Sequence, residues 1–551
     1  MYQTGAGIVV EELIKHGVDV VFGYPGGYVI NIYDEIYRNE RRITHILTAH
    51  EQGAAHAADA YARVLGKTSV VIATGGPGAT NLITGIANAY LDSVPVIFIT
   101  GNVPVPMRGQ DSFQEIDVIG VTMPIVKHSF AVRDVTELQR TIREAFVIAG
   151  DGRKGPVLID IPKCVQLNSC EYEPDLPLPI PDAGRKPPDL RNIDKALDAI
   201  EKSERPYIYC GGGVTATDSG DSVLQLSKLL GAPVGMSMMG IGSVAYSYEL
   251  CLGMTGMHGR YASTLASSEA DLIIALGVRF SDRATGSTHE YAKNATVLHV
   301  DLDAAEIDKN IRSDIGICGD IQEILPLLIA KSNTKKNPEW LKRVRELKAT
   351  GSVPLSDEFT PRNIVSRVSG FFNDDTVVAT DVGQHQMWVA QYYEFQKPRK
   401  LISSCGLGAM GFGLGAAVGA CIAGGKKRTL LFTSDGSFGM NLNEIATAVT
   451  YELPITIILL NNGVLGMLRQ MQSLFLDGRF SQTTLDRKTD FPSLAKAFGA
   501  SGCTARSLPE LDAALNSIDE KGPSLIECKI DKDEKVLPMI PAGGTIRDIL
   551  Y

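Results

Sequence analysis

The chain has 551 residues with 53 basic and 63 acidic side chains, a formal net charge of −10 and no long basic run, which argues against nucleic acid or an anionic membrane as its main partner. Its 44% hydrophobic and 21% charged content is that of a soluble globular protein of three or four domains, and its 55 glycines point to many tight turns and close backbone approaches. Nine scattered cysteines, odd in number and without a CxxC, indicate neither a disulfide framework nor a zinc site and fit a reducing cytoplasm.

The N-terminus, MYQTGAGIVVEELIKHG, has a helical apolar pattern that includes acidic residues and lacks the basic start and cleavage site of a signal peptide. Short β-rich runs then alternate with helical stretches: VVFGYP, ITHILTAHE, SVVIATGG, VPVIFITGN and GPVLIDIP. Residues 171–189 carry six prolines and read as an extended linker. YIYCGGG, LIIALGV and TVLHVDLD follow, then a charged stretch, 331–361, with one helical piece, PEWLKRVRELKA. TVVATD, TLLFTSDG, ITIILLNN and SLIECKI complete the pattern. The alternation predicts three doubly wound α/β domains with parallel sheets, at 1–168, 190–332 and 358–551. The longest apolar tract, GFGLGAAVGACIAGG (411–425), is too short and glycine-rich to span a bilayer and reads as a buried helix.

The last domain holds the sharpest chemical signal. TLLFTSDG, the helical NLNEIATAVTYE and ITIILLNN form a strand–helix–strand unit whose right-handed crossover makes the strands parallel. Asp435 and Asn462 then stand at strand carboxyl ends, where open α/β sheets bind ligands. A carboxylate, a carboxamide and a nearby main-chain carbonyl are hard oxygen donors of the kind Mg²⁺ takes beside phosphate. Gly436 lets the backbone approach phosphate, and the helix N-terminus near Ser437 favours negative charge. In the middle domain, GGGVTA (Gly211, Gly212, Gly213) fits a phosphate-approach turn, but no acidic residue follows at the dinucleotide spacing of about twenty.

SDG, 24 residues and then NN resembles the metal–diphosphate signature of thiamine-diphosphate enzymes. DVGQHQMWVAQYY, GLGAMGFGL, LNNGVLGMLRQMQSLF and VLPMIPAGG are similar to the catalytic subunit of acetohydroxyacid (acetolactate) synthases, as are VFGYPGG, AHEQGAAHAADAYAR, ATGGPGATN, DSFQEIDVIG and GPVLIDIPK. The resemblance runs almost end to end. It implies decarboxylation of pyruvate and transfer of the two-carbon unit to a second 2-oxoacid, pyruvate or 2-oxobutanoate, with thiamine diphosphate, Mg²⁺ and a structural FAD. It also implies a homodimer or homotetramer with active sites between subunits, and leaves room for a small regulatory subunit.

Residue by residue, the resemblance implies that Glu51 bonds the aminopyrimidine ring, with burial keeping it protonated. Tyr24, Pro77 and Asn81 lie on that side of the cofactor. Met410 bends it, with Gly408 beside it. Gly383, Gln384, His385, Gly436, Ser437, Gly466 and Met467 meet its diphosphate end, and Asp435, Asn462 and the main-chain oxygen of Val464 hold the metal. Phe113, Gln114 and Lys163 line the reaction space, and Arg283 receives the acceptor carboxylate through paired hydrogen bonds. Gly211, Gly212, Gly213, Met257, His258, Arg279, Asp301 and Asp320 match flavin contacts. Three positions depart from the family pattern: Ser434 for a glycine, Ser281 for an acid and Met471 for a tryptophan linked to 2-oxobutanoate preference. Rival readings are another thiamine-diphosphate decarboxylase or carboligase, and a silent homologue that binds nucleotides or partner proteins.

Overall fold

The structure is a computed structural model that describes residues 1–179, 187–335, 337–352 and 354–551. Residues 180–186 of the proline-rich segment and residues 336 and 353 of the charged stretch lie outside the described residues. Among the described residues there are three six-stranded sheets, each wholly parallel, and one two-stranded antiparallel ladder in which Tyr2–Thr4 pairs with Ser169–Glu171.

The N-terminal sheet runs Thr44–Leu47, Val20–Tyr24, Ser69–Ala73, Val96–Asn102, Val157–Pro162 and His128–Ala131 from edge to edge. Numbered by chain order, that is 2-1-3-4-6-5. The C-terminal sheet, Leu401–Ile402, Val377–Thr380, Thr429–Ser434, Ile455–Asn461, Ser524–Lys529 and Ser501–Ala505, has the same order. The middle sheet differs: Cys251–Met254, Val234–Met236, Pro206–Cys210, Leu272–Leu276, Thr296–Asp301 and Ile315–Cys318 give 3-2-1-4-5-6. The inner strands read as near-continuous apolar runs because helices cover both faces of a parallel sheet. The helix anticipated inside 331–361 forms at Pro338–Thr350; its Trp340, Val344 and Leu347 are buried against the middle sheet, and the Trp340 indole N–H donates to Pro206 O at 3.0 Å.

The outer domains meet along two helices that follow the second strand of each sheet. Glu51–Leu65 is alanine-rich, so its helix propensity is high, and His50 caps it by accepting the Gln52 N–H at Nδ1 (3.1 Å). Phe412–Ala423 is the buried helix expected from the 411–425 tract. Small residues let the two backbones touch: a Cβ on Gly419 would lie 1.9 Å from Ala57 O, and one on Gly415 would lie 2.9 Å from Gly53 O. One apolar cluster therefore runs from Phe22 and Val71, through this seam, to Leu431 and Ile457. The domain junction is core, not a surface contact.

Candidate active site

In each sheet the strand order reverses between neighbouring strands, and the loops at their carboxyl ends open a crevice there. In the C-terminal domain these loops follow Val377–Thr380 and Thr429–Ser434. Fully buried Asp381 ties them together: Oδ1 accepts the N–H of Val382 (3.0 Å) and of Gly411 (2.8 Å), and Oδ2 accepts Thr433 Oγ1–H at 3.3 Å. Ser437 Oγ donates to Val382 O at 3.0 Å. Gln384 Oε1 accepts Asn462 Nδ2–H at 3.3 Å, and a Cβ on Gly466 would stand 1.9 Å from that same oxygen, so a larger residue there would displace the Gln384 amide. Asn462 Oδ1 in turn accepts the Val464 N–H at 3.2 Å, holding the turn that presents Val464.

Asp435 opens the helix Asp435–Asn441 and is buried; burial pushes its carboxyl up to about 6, and Oδ1 has no hydrogen-bond partner. Ser434 caps that helix at φ −133°, extended backbone that any residue adopts, so the departure from glycine leaves the strand-to-turn geometry intact. The Met410 methyl would be 3.9 Å from a Cβ on Gly436, which sets this side chain over the same turn.

A cavity of about 1250 Å³ runs from these loops to the middle domain. Its C-terminal wall includes Gly383, Gln384, His385, Gly408, Met410, Ser434, Asn462, Val464, Gly466, Met467 and Met471. Its middle-domain wall includes Gly211, Gly212, Gly213, Met257, His258, Arg279, Ser281, Arg283, Asp301 and Asp320. A Cβ on Gly211 would meet Gly277 O at 1.9 Å, so this glycine serves the crossing of two strand-end loops as much as any ligand. Asp320 Oδ1 accepts the Gln322 N–H at 2.7 Å and caps the helix Ile321–Lys331. Arg279 donates to Leu91 O, and exposed Arg283 donates to Met257 Sδ at 3.5 Å. Burial lowers His385 to about 3 and His258 to about 4, so both rings are neutral, and the Nε2 of each is buried without a partner. Asp301 is raised to about 6 by burial.

The unpartnered atoms of Asp435, His385 and His258 answer whether these residues suit bound groups. Buried polar atoms are normally paired, and of seventeen described side-chain atoms that are not, three belong to residues expected at a metal, a diphosphate and a flavin, which is compatible with bound groups there. The donor set of Asp435, Asn462 and Val464 O is all oxygen, as Mg²⁺ prefers.

The N-terminal residues form a second group. Asn81 Nδ2–H donates to Glu51 Oε2 at 3.0 Å, and a Cβ on Gly78 would lie 3.2 Å from Glu51 Oε1. Pro77 starts the short helix that carries Asn81, and the Gln114 Cα would be 2.8 Å from a Cβ on Gly76, whose φ is +62°. Phe113 is 81% exposed and its carbonyl accepts Tyr28 Oη–H at 2.7 Å; Tyr24, exposed, and Lys163, half-buried, stand at the carboxyl ends of strands in the same sheet. None of Glu51, Tyr24, Pro77, Asn81, Phe113, Gln114 and Lys163 lines the cavity; Asp435, Gly436 and Ser437 do not line it either, being buried next to Ser434, which does. Glu51 is half-buried, so one chain does not by itself give the enclosure expected of it.

Comparison with known proteins matches residues 3–121 to the family described as "Thiamine pyrophosphate enzyme, N-terminal TPP binding domain", 193–328 to its "central domain" and 381–528 to its "C-terminal TPP binding domain". The chain is 41% identical to the "Probable acetolactate synthase large subunit" of Methanocaldococcus jannaschii, over 99% of this chain and 95% of that protein. It is 41% identical to the "Acetolactate synthase isozyme 2 large subunit" of Escherichia coli (strain K12), over 99% of both chains, and 41% identical to the "Acetolactate synthase large subunit" of Lactococcus lactis subsp. lactis, over 98% and 95%. The chain belongs to the acetolactate synthase large-subunit family.

Within this family member, the two thiamine-pyrophosphate-binding matches cover the two residue groups just described: Glu51 and Asn81 fall in one, Asp435 and Asn462 in the other. Sequence reasoning passed over Asp381 and Arg153. Arg153 reaches the cavity from the N-terminal domain, is paired with Glu306, and lies 3.5 Å from Asp303. It precedes the strand Val157–Pro162, so a search restricted to strand carboxyl ends misses it. Asp381 carries a readable signal, an acid ending the strand TVVATD before a glycine, but its function is internal bracing.

Proposed function

We propose that the chain is the catalytic subunit of an acetolactate synthase, decarboxylating pyruvate and joining the two-carbon unit to a second 2-oxoacid. With pyruvate the product is 2-acetolactate, and with 2-oxobutanoate it is 2-aceto-2-hydroxybutanoate, the first common step of branched-chain amino-acid synthesis. The observation that carries the reading is Asp435: a buried carboxylate with an unpartnered oxygen, beside Asn462, at the switch point of a thiamine-pyrophosphate-binding domain.

When bound, thiamine diphosphate supplies the nucleophilic carbon and the electron sink that decarboxylation needs. Asp435, Asn462 and the carbonyl of Val464 hold Mg²⁺, with Gly383, Gln384, His385, Gly436, Ser437, Gly466 and Met467 around the diphosphate. Met410 and Gly408 shape the middle of that site. Glu51 faces the pyrimidine ring, flanked by Asn81, Pro77 and Tyr24. Phe113, Gln114 and Lys163 exclude water and orient the 2-oxoacids, and Arg283 takes the acceptor carboxylate. The middle domain holds a structural FAD through Gly211, Gly212, Gly213, Met257, His258, Arg279, Asp301 and Asp320, without an acid at Ser281.

The separation of the Glu51 group from the cavity supports a homodimer or homotetramer in which a second copy brings its Glu51 face to this cavity. Exposed Phe113 and Tyr24 on that face, and exposed Leu468 and Phe475 near the cavity mouth, favour such a contact. The relatives' designation as large subunits supports a small regulatory partner. The composition supports a cytoplasmic protein, and no described helix is long and apolar enough to cross a membrane. Half-buried Met471 lines the cavity where a flexible thioether offers no flat wall, which favours reduced selectivity for 2-oxobutanoate; strong preference for it in a two-substrate competition would contradict this.

The deciding assay is acetolactate formation from pyruvate with Mg²⁺, thiamine diphosphate and FAD, with Glu51→Gln as control. Acetolactate lost in the control supports the proposal. Acetaldehyde alone points to a decarboxylase, and no turnover to a missing subunit or a silent homologue.

A further inference from the structure

Glu444 has no place in the functional reading so far, yet its surroundings are specific. It begins the helix Glu444–Thr450, directly after the Asp435–Asn441 helix of the cation site, and its side chain is fully buried. Its carboxylate reaches across the domain junction: Oε1 accepts the N–H of His50 at 3.1 Å, and Oε2 accepts the N–H of Ala49 at 3.2 Å. Thr447 Oγ1–H donates to Oε2 at 2.6 Å. Burial raises the Glu444 carboxyl above the ordinary carboxylate range, and the three donors that converge on it oppose that shift. Ala49 and His50 are the two residues before Glu51, at a helix N-terminus where free N–H groups and the helix dipole both attract an anion. No side chain intervenes, because a Cβ on Gly53 would stand 2.0 Å from Glu444 Oε1.

We propose that Glu444 is a positioning residue for Glu51: by anchoring the N–H groups of Ala49 and His50, it fixes where the Glu51 helix begins and so where the Glu51 carboxyl points. The inference rests on the role assigned to Glu51 above. If a second copy completes each site, Glu444 links the cation end of one site to the acid of the other, since both lie on its own chain.

The test uses the full-length chain with Glu444→Gln, which keeps the shape but offers one acceptor oxygen in place of two, and with Gly53→Ala, whose methyl displaces the carboxylate. Amide hydrogen exchange on the cofactor-free protein is expected to be about tenfold faster at Ala49 and His50 in both variants, with distant peptides unchanged. In the holoenzyme, kcat is expected to fall about tenfold while the KM for thiamine diphosphate and for pyruvate stays within about twofold. Glu444→Asp should recover part of the kcat. Unchanged exchange at Ala49 and His50 overturns the proposal, as does unaltered kcat in a folded Glu444→Gln. A loss confined to cofactor KM also overturns it, because Glu444 would then act through the cation side. If the wild-type chain forms no acetolactate, the functional reading fails, while the exchange measurement still decides whether Glu444 holds this segment.

Discussion

The N-terminal and C-terminal domains share a strand order and put their switch-point loops in equivalent places, yet their side chains differ in chemistry. After the second strand, one chain segment starts a helix with Glu51, and its counterpart starts one at Phe412, two residues beyond Met410. After the third strand, one domain has Gly75, Gly76 and Pro77, and the other has Asp435, Gly436 and Ser437. On the proposed reading, one scaffold presents the acid that meets the pyrimidine ring and the other the acid that meets the cation. A fold fixes where groups stand, and the residues placed there decide what they do.

If this division of labour is right, the two ends should fail differently. Glu51→Gln is expected to lower turnover by about 10²- to 10⁴-fold, the range of a lost general acid–base group, with Mg²⁺ and thiamine diphosphate binding retained in titration calorimetry. Gly419→Val strikes what the domains share, pushing a side chain into Ala57 O across the seam. It should cost about 3 kcal/mol or more in thermal or denaturant unfolding, or prevent folding altogether.

Asp435→Asn should instead weaken retention of Mg²⁺ with thiamine diphosphate by about 10- to 100-fold, with secondary structure unchanged by circular dichroism. The same acid gives the two ends different pH responses. Its carboxyl, raised to about 6 by burial, must lose its proton to bind the cation. Apparent Mg²⁺ affinity should therefore fall as pH drops below 6, by about tenfold per unit once the acid is mostly protonated, and level off above about 7. In the cation-free chain the sign for stability is opposite: a folded-state value above the ordinary 3.8 means that this group costs stability as pH rises through 6, and added Mg²⁺ should restore it. Ser434→Gly should do least, lowering stability by under about 1 kcal/mol through backbone entropy and leaving activity intact.

Most inner strands were legible because burial on both faces makes each a continuous apolar run; the three-residue Val234–Met236 was too short to read. Among edge strands Thr44–Leu47 was read, but others were not: His128–Ala131 is half-exposed, Leu401–Ile402 spans two residues, and Ser501–Ala505 carries small polar groups that resemble a loop. The candidate cation site was readable because SDG and NN are local signals joined by one crossover. That the predicted residues split into two groups was not, because it depends on where whole domains sit. Arg153 and Glu444 escaped notice for a related reason. Each is an ordinary charged residue in the sequence, and its significance comes from partners up to several hundred positions away, as with Glu444 and His50.

The small-residue seam also bears on how the chain is made. The Glu51–Leu65 helix leaves the ribosome long before Phe412–Ala423 exists, a wait of roughly 20–70 s at ordinary elongation rates. Throughout it, the nascent N-terminal domain shows an uncovered helix face. That face includes Gly53, His56 and Ala57, which offer little aliphatic area for a chaperone or a neighbouring nascent chain to seize. Residues chosen for close approach in the finished protein thereby also keep its first domain from sticking while its partner is still being synthesised.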